Sequence, residues 1–367
     1  MSNTADMTWE EAVAWLREQP DSQELVRACY FDDPLPEAAE RFSTGAEWQA
    51  MSALLPRSPG LGLDLASGRG IAAFALWKNG WDVVAVEGDP SALVGANAIR
   101  ELSAQTGRWP VVRAWGEALP FADDTFDLVL ARQALHHARD LDKYCQECAR
   151  VLKPGGTFVA TREHVIDRPG DHAAFLESHP LHRLYGGENA FAFEQYVHAM
   201  ERAGLAVTDV LGPLDSPVNW APAQAGQIEE MADAAWPWPY AMSRAEKIAD
   251  MQKNLASPGK LYTFVARKPL AGENLEYARL FVRSAVLEVR ECALNIRQAE
   301  LDRRAAWLET QNSDLERRLC ELEGVTDRVC HYLNDHGGRL AVLEDNIGVR
   351  AFKKLHGAWR GLKRKKS

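Results

Sequence analysis

The sequence predicts an α/β fold, a doubly wound and mostly parallel sheet, followed by one long coiled-coil helix. Three observations in the 367-residue chain predict it. The stretch GLDLASGRGIAAF, residues 62–74, has the pattern of a strand, a glycine turn and the start of a helix. Residues 57 to about 166 alternate apolar strands with helical patterns, as βαβ units do. Beyond Pro269, leucines recur every seven residues in a long charged segment.

The composition is that of an ordinary globular protein, with 46% hydrophobic and 26% charged residues. No apolar run approaches the roughly 20 residues that a membrane span needs. The first residues, MSNTADMTWEEAV, lack a basic start followed by an apolar core, so we expect no secretion leader and a cytoplasmic location. Cys145 and Cys148 form a C-x-x-C within a helical pattern, which favours helix packing over zinc or redox chemistry.

Composition and periodicity divide the chain into four stretches. The predicted boundaries are 1–56 for an N-terminal helical cap, 57–268 for the sheet domain, about 217–258 for a lid insertion within it, 273–345 for the coiled coil and 346–367 for a basic amphipathic tail. The cap opens with Thr8 and Glu11 at the spacing of a capping box. The Trp- and Pro-rich lid is expected to shape the acceptor pocket.

The glycine turn predicts a ligand at the start of the first sheet helix. Gly68 and Gly70 keep side chains away, so backbone N–H groups can face a ligand's polar end. Gly68-x-Gly70-x-x-Ala73 would fit a dinucleotide, and Glu87, ending the second strand, could accept both ribose hydroxyls. Asp64 stands four residues before Gly68, where a carboxylate repels a pyrophosphate and suits an ammonium group. The turn alone is compatible with a dinucleotide and with a ligand that carries an ammonium group, and Asp64 favours the ligand with the ammonium group.

Two further motifs indicate which of these two ligands the turn binds. GEALPFADDTFDLVLARQALHH puts a turn and a strand after the third βα unit, and ARVLKPGGTFVATRE ends a helix before a fifth strand. Together with the glycine turn they resemble the class I S-adenosylmethionine-dependent methyltransferases, in the branch with LPF and LKPGG motifs. The resemblance covers roughly residues 58–166 and, more weakly, the chain to 268. It implies a Rossmann-like, seven-stranded sheet and S-adenosylmethionine as the cofactor.

The resemblance also implies a role for each matching residue. The cofactor residues fall into four groups: Asp64, Ala66, Gly68 and Gly70 at the methionine end, Glu87 and Gly88 at the ribose and adenine, Trp115, Gly116 and Glu117 around the adenine, and Ala131 and Arg132 beside the transferred methyl. Two positions depart from the family pattern. Ala66 replaces the first glycine, and Trp115 stands where an acid is common, so the indole could stack on the adenine while Glu117 or backbone contacts its amino group.

Catalysis of methyl transfer requires mainly positioning, since the sulfonium is already activated. An alcohol acceptor also needs a general base, for which histidine is suited. Five of the ten histidines lie between residues 164 and 198, after the fifth strand. His164 is the first candidate for the base and His136 the second, whereas Asp127 and His137 are expected to hold the fold. No H-x-x-x-H or paired carboxylate spacing is present, so the sequence predicts no metal site.

The heptad pattern predicts that the protein pairs with a second copy of itself. The d positions are Leu280, Leu287, Leu294, Leu301, Leu308, Leu315, Leu322 and Val329. Arginines recur at g and acids at e, and Asn312 at an a position favours a parallel pair. The alternative is an amphipathic helix packed on its own domain.

The tail predicts a separate anionic partner. Residues 349–367 hold eight Lys or Arg and no acid, although the whole chain has a net charge of −10. Val349, Phe352, Trp359 and Leu362 fall near one helical face, as in a helix that binds an anionic membrane surface. A solvated tail is the alternative. Nucleic acid is not expected as a partner, because the basic stretch follows the zipper instead of preceding it.

A methyltransferase head with a coiled coil and a membrane-seeking tail resembles, in layout, enzymes that modify lipid-linked bacterial polysaccharides. The resemblance implies methylation of a glycan hydroxyl at the inner membrane face. A small-molecule methyltransferase for a quinone or secondary metabolite is the alternative enzyme. A scaffold with a degenerate head is the alternative outside enzymes, and the intact Asp64, Gly68, Gly70 and Glu87 oppose it.

Overall fold

A computed structural model describes residues 7–166, 169–235, 242–253, 255, 259–273, 275–335 and 347–363. The chain divides into two compact units, Met1–Leu294 and Asn295–Ser367. Within the described residues no helix is both long and apolar enough to cross a membrane.

Strands and helices alternate through the first unit. The strands are β1 Leu61–Leu65, β2 Asp82–Val86, β3 Val111–Val112, β4 Phe126–Arg132, β5 Leu152–Ile166, β6 Phe191–Ala192, β7 Ala206–Leu211 and β8 Lys260–Arg267. The helices are α1 Trp9–Glu18, α2 Gln23–Ala28, α3 Leu35–Thr44, α4 Ala46–Ser52, α5 Ile71–Lys78, α6 Ala96–Gln105, α7 Leu141–Val151, α8 His172–Ser178, α9 His182–Tyr185, α10 Phe193–Arg202, α11 Pro217–Trp220, α12 Ala225–Ala235 and α13 Arg244–Lys253, followed by α14 Leu275–Asp335 and α15 Ile347–Lys363. Short 3₁₀ helices cover Pro20–Ser22, Leu135–His137 and Pro169–Asp171.

The sheet has the strand order β3-β2-β1-β4-β5-β8-β7. The strands β1 to β5 pair in parallel, and β8 runs antiparallel between β5 and β7. These seven strands form the predicted mostly parallel α/β sheet. An eighth strand, β6, was not predicted and pairs in parallel with the end of β5. It forms there because β5 continues beyond the end of β4 and would otherwise leave edge N–H and C=O groups unpaired.

Buried side chains cover both faces of the sheet. On one face, Phe126 and Phe158 belong to a cluster with Tyr196 of α10. On the other, Leu128 packs in a cluster with Leu76 of α5. The buried Cys145 and Cys148 belong to the first cluster and carry free thiols, as the helix-packing interpretation predicts. The two-sided core fixes the strand ends, and the site is built on these ends.

The N-terminal helices are bound to the glycine turn through Arg69, the residue between the two turn glycines. Its guanidinium donates to the carbonyls of Tyr30 at 2.7 Å and Asp32 at 2.8 Å and pairs with Asp33. The predicted Thr8–Glu11 capping box begins α1. The helices before β1 therefore contribute directly to the geometry of the turn.

The insertion between β7 and β8 contains α11, α12 and α13, while residues 236–241, 254 and 256–258 of the predicted lid lie outside the described residues. Arg162 of β5 connects it to the sheet by donating to the carbonyls of Val218 and Ala221, both at 3.0 Å. The described part of the insertion is thus fixed against the end of β5.

The second unit contains most of α14 and all of α15. Four heptad side chains of α14 are exposed: Leu308 by 57%, Leu315 by 60%, Leu322 by 63% and Val329 by 41%. The side chains of Leu280, Leu287, Leu294 and Leu301 lie outside the described residues.

Candidate cofactor and acceptor site

The turn between β1 and α5 has the open geometry that the sequence predicts. Gly68 has a φ of +56°, and a Cβ built on it would meet no atom within 4 Å. Gly70 has a φ of +82° and lies against Ile99. Ala66, in place of the family's first glycine, adopts a φ of +55°, which costs an L-residue roughly 1–2 kcal/mol. The space over Gly68 is the cradle that a ligand's polar end needs.

Asp64 stabilises the turn instead of facing the ligand. Its side chain is buried, and one carboxylate oxygen, Oδ2, accepts hydrogen bonds from the Ser67 hydroxyl and, at 2.9 Å, from the Ala73 N–H. Burial raises the pKa of Asp64 to about 7, although these two hydrogen bonds oppose the rise. The sequence predicts a carboxylate close to the ligand. In the structure this carboxylate is buried beneath the turn and its hydrogen bonds shape the loop.

We expect Asp64→Asn to change how stability depends on pH. An unfolded aspartate titrates near pH 4 and the folded one near 7, so the folded state holds an extra proton between these values. This contribution to stability is present below about pH 4 and is lost as pH rises through about 7. Urea unfolding should therefore show wild type losing stability relative to Asp64→Asn between about pH 4 and pH 7, with little further change above about pH 8. Asp82→Asn, at an exposed position of β2, is the control, and a difference that is constant with pH would contradict the assignment.

Glu87 follows β2 and joins two backbone segments around the cradle. Its Oε2 accepts from the Gly68 N–H at 2.8 Å, and its Oε1 accepts from the Asp89 N–H at 2.9 Å. Burial raises the pKa of Glu87, against these two hydrogen bonds. Each oxygen retains a second lone pair, so the carboxylate can still accept two ribose hydroxyls. The structure puts this carboxylate directly beside Gly68, as the ribose assignment requires.

The predicted adenine residues divide into a ligand-facing and a structural group. Trp115 is 62% exposed and packs on Gly88, where a Cβ would come within 2.7 Å of the indole. By contrast, a Cβ on Gly116 would come within 2.0 Å of the Tyr144 ring. The Glu117 carboxylate accepts from the Arg139 N–H at 2.9 Å. Trp115 and Gly88 offer a surface for a planar ring, whereas Gly116 and Glu117 support packing and a loop.

Ala131 and Arg132 end β4 but present no free side chain to a ligand. Ala131 is fully buried in the core. The Arg132 guanidinium lies 2.7 Å from the Glu47 carboxylate of α4 and over the Phe42 ring. No local pattern predicted this partner, because Glu47 lies 85 positions away in sequence. Only the backbone of these two residues is left to line the cofactor site.

The two base candidates lie side by side, His136 beyond the end of β4 and His164 within the last residues of β5, which continues to Ile166 instead of ending before His164 as the sequence predicts. The rings of His136 and His164 are 4.7 Å apart. His136 is buried, and its Nδ1 lies 2.7 Å from Oε2 of Glu163. Burial lowers the pKa of both histidines well below the usual value, so both rings are neutral near pH 7 and able to accept a proton. The structure brings the two candidates into one site.

Glu163 is a site residue that sequence reasoning missed. Its carboxylate is fully buried and accepts the N–H groups of Ala134 at 3.1 Å and His136 at 3.0 Å. Burial raises its pKa to about 7, against these hydrogen bonds. Neighbouring side chains of a regular strand point to opposite faces, yet both Glu163 and His164 lie against His136. The β5–β8 register shifts just before these residues, between Ala160 and Glu163, and a bulge of this kind re-aims a strand locally.

Glu188 is a second missed residue, in the loop between α9 and β6. Its buried carboxylate lies among His136, His137 and His179 and accepts from the Tyr185 hydroxyl at 2.6 Å. Burial by itself would raise the pKa of Glu188, but the imidazoles outweigh it and lower the pKa. One ligand atom each from His136, His164 and Glu188 lie within 4.8 Å of one another, so three groups that could hold a metal meet where spacing predicted none.

Asp127 holds the fold, as predicted. Its carboxylate accepts the Leu61 N–H at 2.9 Å and pairs with Lys153 at 2.8 Å. The contacts connect β1, β4 and the LKPGG segment at the edge of the sheet opposite the site.

Comparison with known proteins now identifies the domain. Residues 63–160 match the family model described as a methyltransferase domain. An uncharacterized methyltransferase of Mycobacterium sp. (strain KMS) is 36% identical over 129 residues, which are 35% of this chain and 48% of that protein. Ubiquinone/menaquinone biosynthesis C-methyltransferase UbiE of Pasteurella multocida (strain Pm70) is 40% identical over 101 residues, 26% of this chain and 37% of that protein.

The uncharacterized methyltransferase YcgJ of Bacillus subtilis (strain 168) is 31% identical over 108 residues, 29% of this chain and 42% of that protein. The chain thus spans less than half the length of these three curated relatives. The matched region contains β1, the glycine turn, Glu87 and β4, which form the cofactor side of the site. Residues 63–160 therefore match a methyltransferase domain, and this match supports S-adenosylmethionine as the cofactor.

Proposed function

We propose that the whole protein is an S-adenosylmethionine-dependent methyltransferase of the LPF/LKPGG branch that methylates a hydroxyl of a glycan or lipid-linked saccharide at a membrane surface. The single observation that carries the enzymatic part is the open cradle over Gly68, with the Glu87 carboxylate at its side. A scaffold would not need this cradle. The neutral imidazoles of His136, beyond the end of β4, and of His164, near the carboxyl end of β5, support a hydroxyl acceptor.

The residues of the chain have distinct tasks in this proposal. S-adenosylmethionine, when bound, supplies a methyl group on a positively charged sulfur. Gly68 leaves room for its polar end, Glu87 binds the ribose hydroxyls and Trp115 stacks on the adenine. His164, with His136 as second candidate, would take the proton from the acceptor hydroxyl while its oxygen bonds to the methyl carbon, the methyl–sulfur bond breaks and the sulfur leaves as a neutral thioether. The bound pair must be held in line at about 3 Å, and the fixed strand ends provide that rigidity.

A small-molecule acceptor is the second candidate. The observation that favours it is a stretch covering 26% of the chain that is similar in sequence to a relative named for ubiquinone and menaquinone biosynthesis. A ubiquinone biosynthesis O-methyltransferase of Sinorhizobium fredii (strain NBRC 101917 / NGR234) is also similar, at 28% identity over 161 residues. Methyl transfer from radiolabelled S-adenosylmethionine to a polyprenyl-linked saccharide or to a demethylated quinol discriminates the two acceptor classes.

The second unit supports self-association. The exposed Leu308, Leu315, Leu322 and Val329 recur every seven residues, and burying each leucine in a partner would contribute roughly 1.5–3 kcal/mol. Arg304 and Arg318 at g positions and Glu309 and Glu316 at e positions add opposite charges beside this row. We therefore propose that residues 273–345, of which 274 and 336–345 lie outside the described residues, contribute to a parallel coiled-coil dimer.

The helix α15 supports attachment to an anionic membrane. Phe352 and Leu355 are exposed by 38% and 72%, next to the exposed Lys353 and Lys354. The side chains of Trp359 and Leu362 lie outside the described residues. Each cation near an anionic surface contributes about 1 kcal/mol before salt screening. The proposed location is therefore cytoplasmic, peripheral to the inner face of the membrane.

Two truncations test the coil and the tail separately. A chain ending at Pro269 retains β8 and should bind S-adenosylmethionine but sediment as a monomer, because the coil is gone. A chain ending at Gly348 should remain a dimer and lose flotation with phosphatidylglycerol vesicles, which the full chain should show at low salt. Phosphatidylcholine vesicles are the control. A monomeric full chain would contradict the coil, and a full chain that ignores anionic vesicles would contradict the membrane proposal.

A further inference from the structure

The side chains around Glu188 form a buried polar centre that the methyl transfer itself does not require. Oε2 of Glu188 lies 3.8 Å from Nε2 of His136 and 3.9 Å from Nε2 of both His137 and His179. The His164 ring lies 5.1 Å from His179 and 4.7 Å from His136, between centroids. Four imidazoles thus surround one carboxylate.

The hydrogen bonds on the far side of each ring determine which nitrogens carry lone pairs. Nδ1 of His137 lies 3.2 Å from the Gly187 carbonyl, which can only accept, so in the neutral ring Nδ1 carries the hydrogen and Nε2 the lone pair. His136 is oriented in the same way, with Nδ1 donating to the Glu163 carboxylate. The lone pairs of His136 and His137 therefore both face the Glu188 carboxylate, and a ligand atom of His164 lies within 4.8 Å of those of His136 and Glu188. Such an arrangement is stabilised by a cation between them.

His179 is oriented in the opposite way. Its Nδ1 accepts the His182 N–H at 3.4 Å, so its neutral ring carries the hydrogen on Nε2, facing Glu188. His179 can thus orient the Glu188 carboxylate without competing for a cation. The Tyr185 hydroxyl fixes the other carboxylate oxygen at 2.6 Å.

From this geometry we infer that His136, His164 and Glu188 bind a divalent transition-metal ion, with Zn²⁺ the best match to the donor set. Two imidazoles and one carboxylate with an open fourth position are a known ligand set of catalytic zinc. Glu163 holds Nδ1 of His136, as carboxylates outside a metal's own ligands commonly do for metal-binding histidines. The site rests on the proposed methyl transfer for its role. With the ion bound, His136 and His164 would act as its ligands instead of as bases, and the open position would take the acceptor hydroxyl in its ionised form, with the proton released to water.

The spacing requires only side-chain adjustment. Bonds of about 2.0–2.1 Å to a tetrahedral ion leave its ligand atoms about 3.3 Å apart. The His136–Glu188 separation of 3.8 Å is near this value, and the 4.8 Å limit for the group lies within reach of rotation about the His164 and Glu188 side-chain bonds. His136 and Glu188 are buried, so a bound ion would be shielded from bulk water apart from the open position.

Calorimetric titration of the full chain with ZnCl₂, and absorption spectroscopy with CoCl₂, test the inference without cofactor or acceptor. We expect one Zn²⁺ per chain at this site, and Co²⁺ should give visible bands typical of four-coordination. Glu188→Gln keeps the size and the Tyr185 contact but removes the anionic ligand, and should weaken binding at least about tenfold. Glu163→Gln is the positioning variant, for which about 10- to 100-fold weaker binding is expected.

His198→Ala and Cys320→Ser are matched controls. Each removes an exposed side chain of a type that can bind metals, at a position outside the proposed site. Circular dichroism of each variant separates lost binding from lost folding, and His164→Ala provides a second ligand variant if Glu188→Gln fails to fold. Equal Zn²⁺ affinity in wild type and in folded Glu188→Gln and His164→Ala would overturn the metal site. Titration of the same wild type with S-adenosylmethionine tests the proposed function separately, so the two failures are distinguishable.

Discussion

Replacing Glu87 with alanine is expected to weaken S-adenosylmethionine binding at least about tenfold. The carboxylate would accept two ribose hydroxyls, and a hydrogen bond to a charged group contributes roughly 1.5–3 kcal/mol. The substitution also removes the acceptor for the N–H groups of Gly68 and Asp89, so the cradle loses one of its supports. Isothermal titration calorimetry measures the change directly.

The control for this variant is Asp82→Ala, which removes an exposed acid at the other end of the same strand. It should leave cofactor affinity unchanged. Circular dichroism should establish that Glu87→Ala is folded before its affinity is compared. A folded Glu87→Ala with the wild-type dissociation constant would refute the ribose assignment.

His164→Ala is expected to lower turnover about 100-fold or more while leaving cofactor affinity nearly unchanged. A positioned general base contributes typically 10²–10⁴-fold. His164 follows the β5 irregularity, is only partly buried and lies beside His136, so it can meet an acceptor entering beyond the strand ends. The measurement is single-turnover methyl transfer at saturating S-adenosylmethionine.

His198→Ala, on the exposed side of α10, is the matched control and should retain wild-type turnover. A fully active His164→Ala would transfer the role of base to His136, or indicate a reaction that needs no base. The Co²⁺ spectrum of the same variant separates two causes of lost turnover: an unchanged spectrum indicates a lost base, and a lost spectrum indicates a lost metal ligand.

Much of the cofactor side could be predicted because it is local in sequence. A strand, a glycine turn and a helix follow one another within residues 61–78, and Glu87 stands directly after the next parallel strand. Parallel register puts Leu65 beside Val86, so the turn and Glu87 must meet at one sheet edge. The directions in which individual side chains point could not be predicted from this local pattern. Asp64 turns inward because the Ser67 hydroxyl and the Ala73 N–H need an acceptor.

The arrangement of the side chains proposed to face the acceptor could not be predicted, because it depends on contacts between residues far apart in sequence. His136, Glu163, His164 and Glu188 come from three separate segments, and both Glu163 and His164 lie against His136. Because the three segments are far apart in sequence, residue spacing did not predict that they would meet. Similarly, Arg132 faces Glu47 of an N-terminal helix instead of the transferred methyl.

By itself the sequence determined the order of strands and helices, the glycine turn, the position of Glu87 after β2 and the heptad row, because each is a periodicity or a turn requirement within a few residues. Only the tertiary structure decided that Asp64 is a buried loop acid, that Gly116 makes room for Tyr144, and that Glu188 meets the histidines. The physical reason is the same in each case. Each depends on a contact made in the tertiary structure, either a buried polar group with its hydrogen-bond partner or a ring packed on a glycine. Such contacts form only when the whole sheet has assembled.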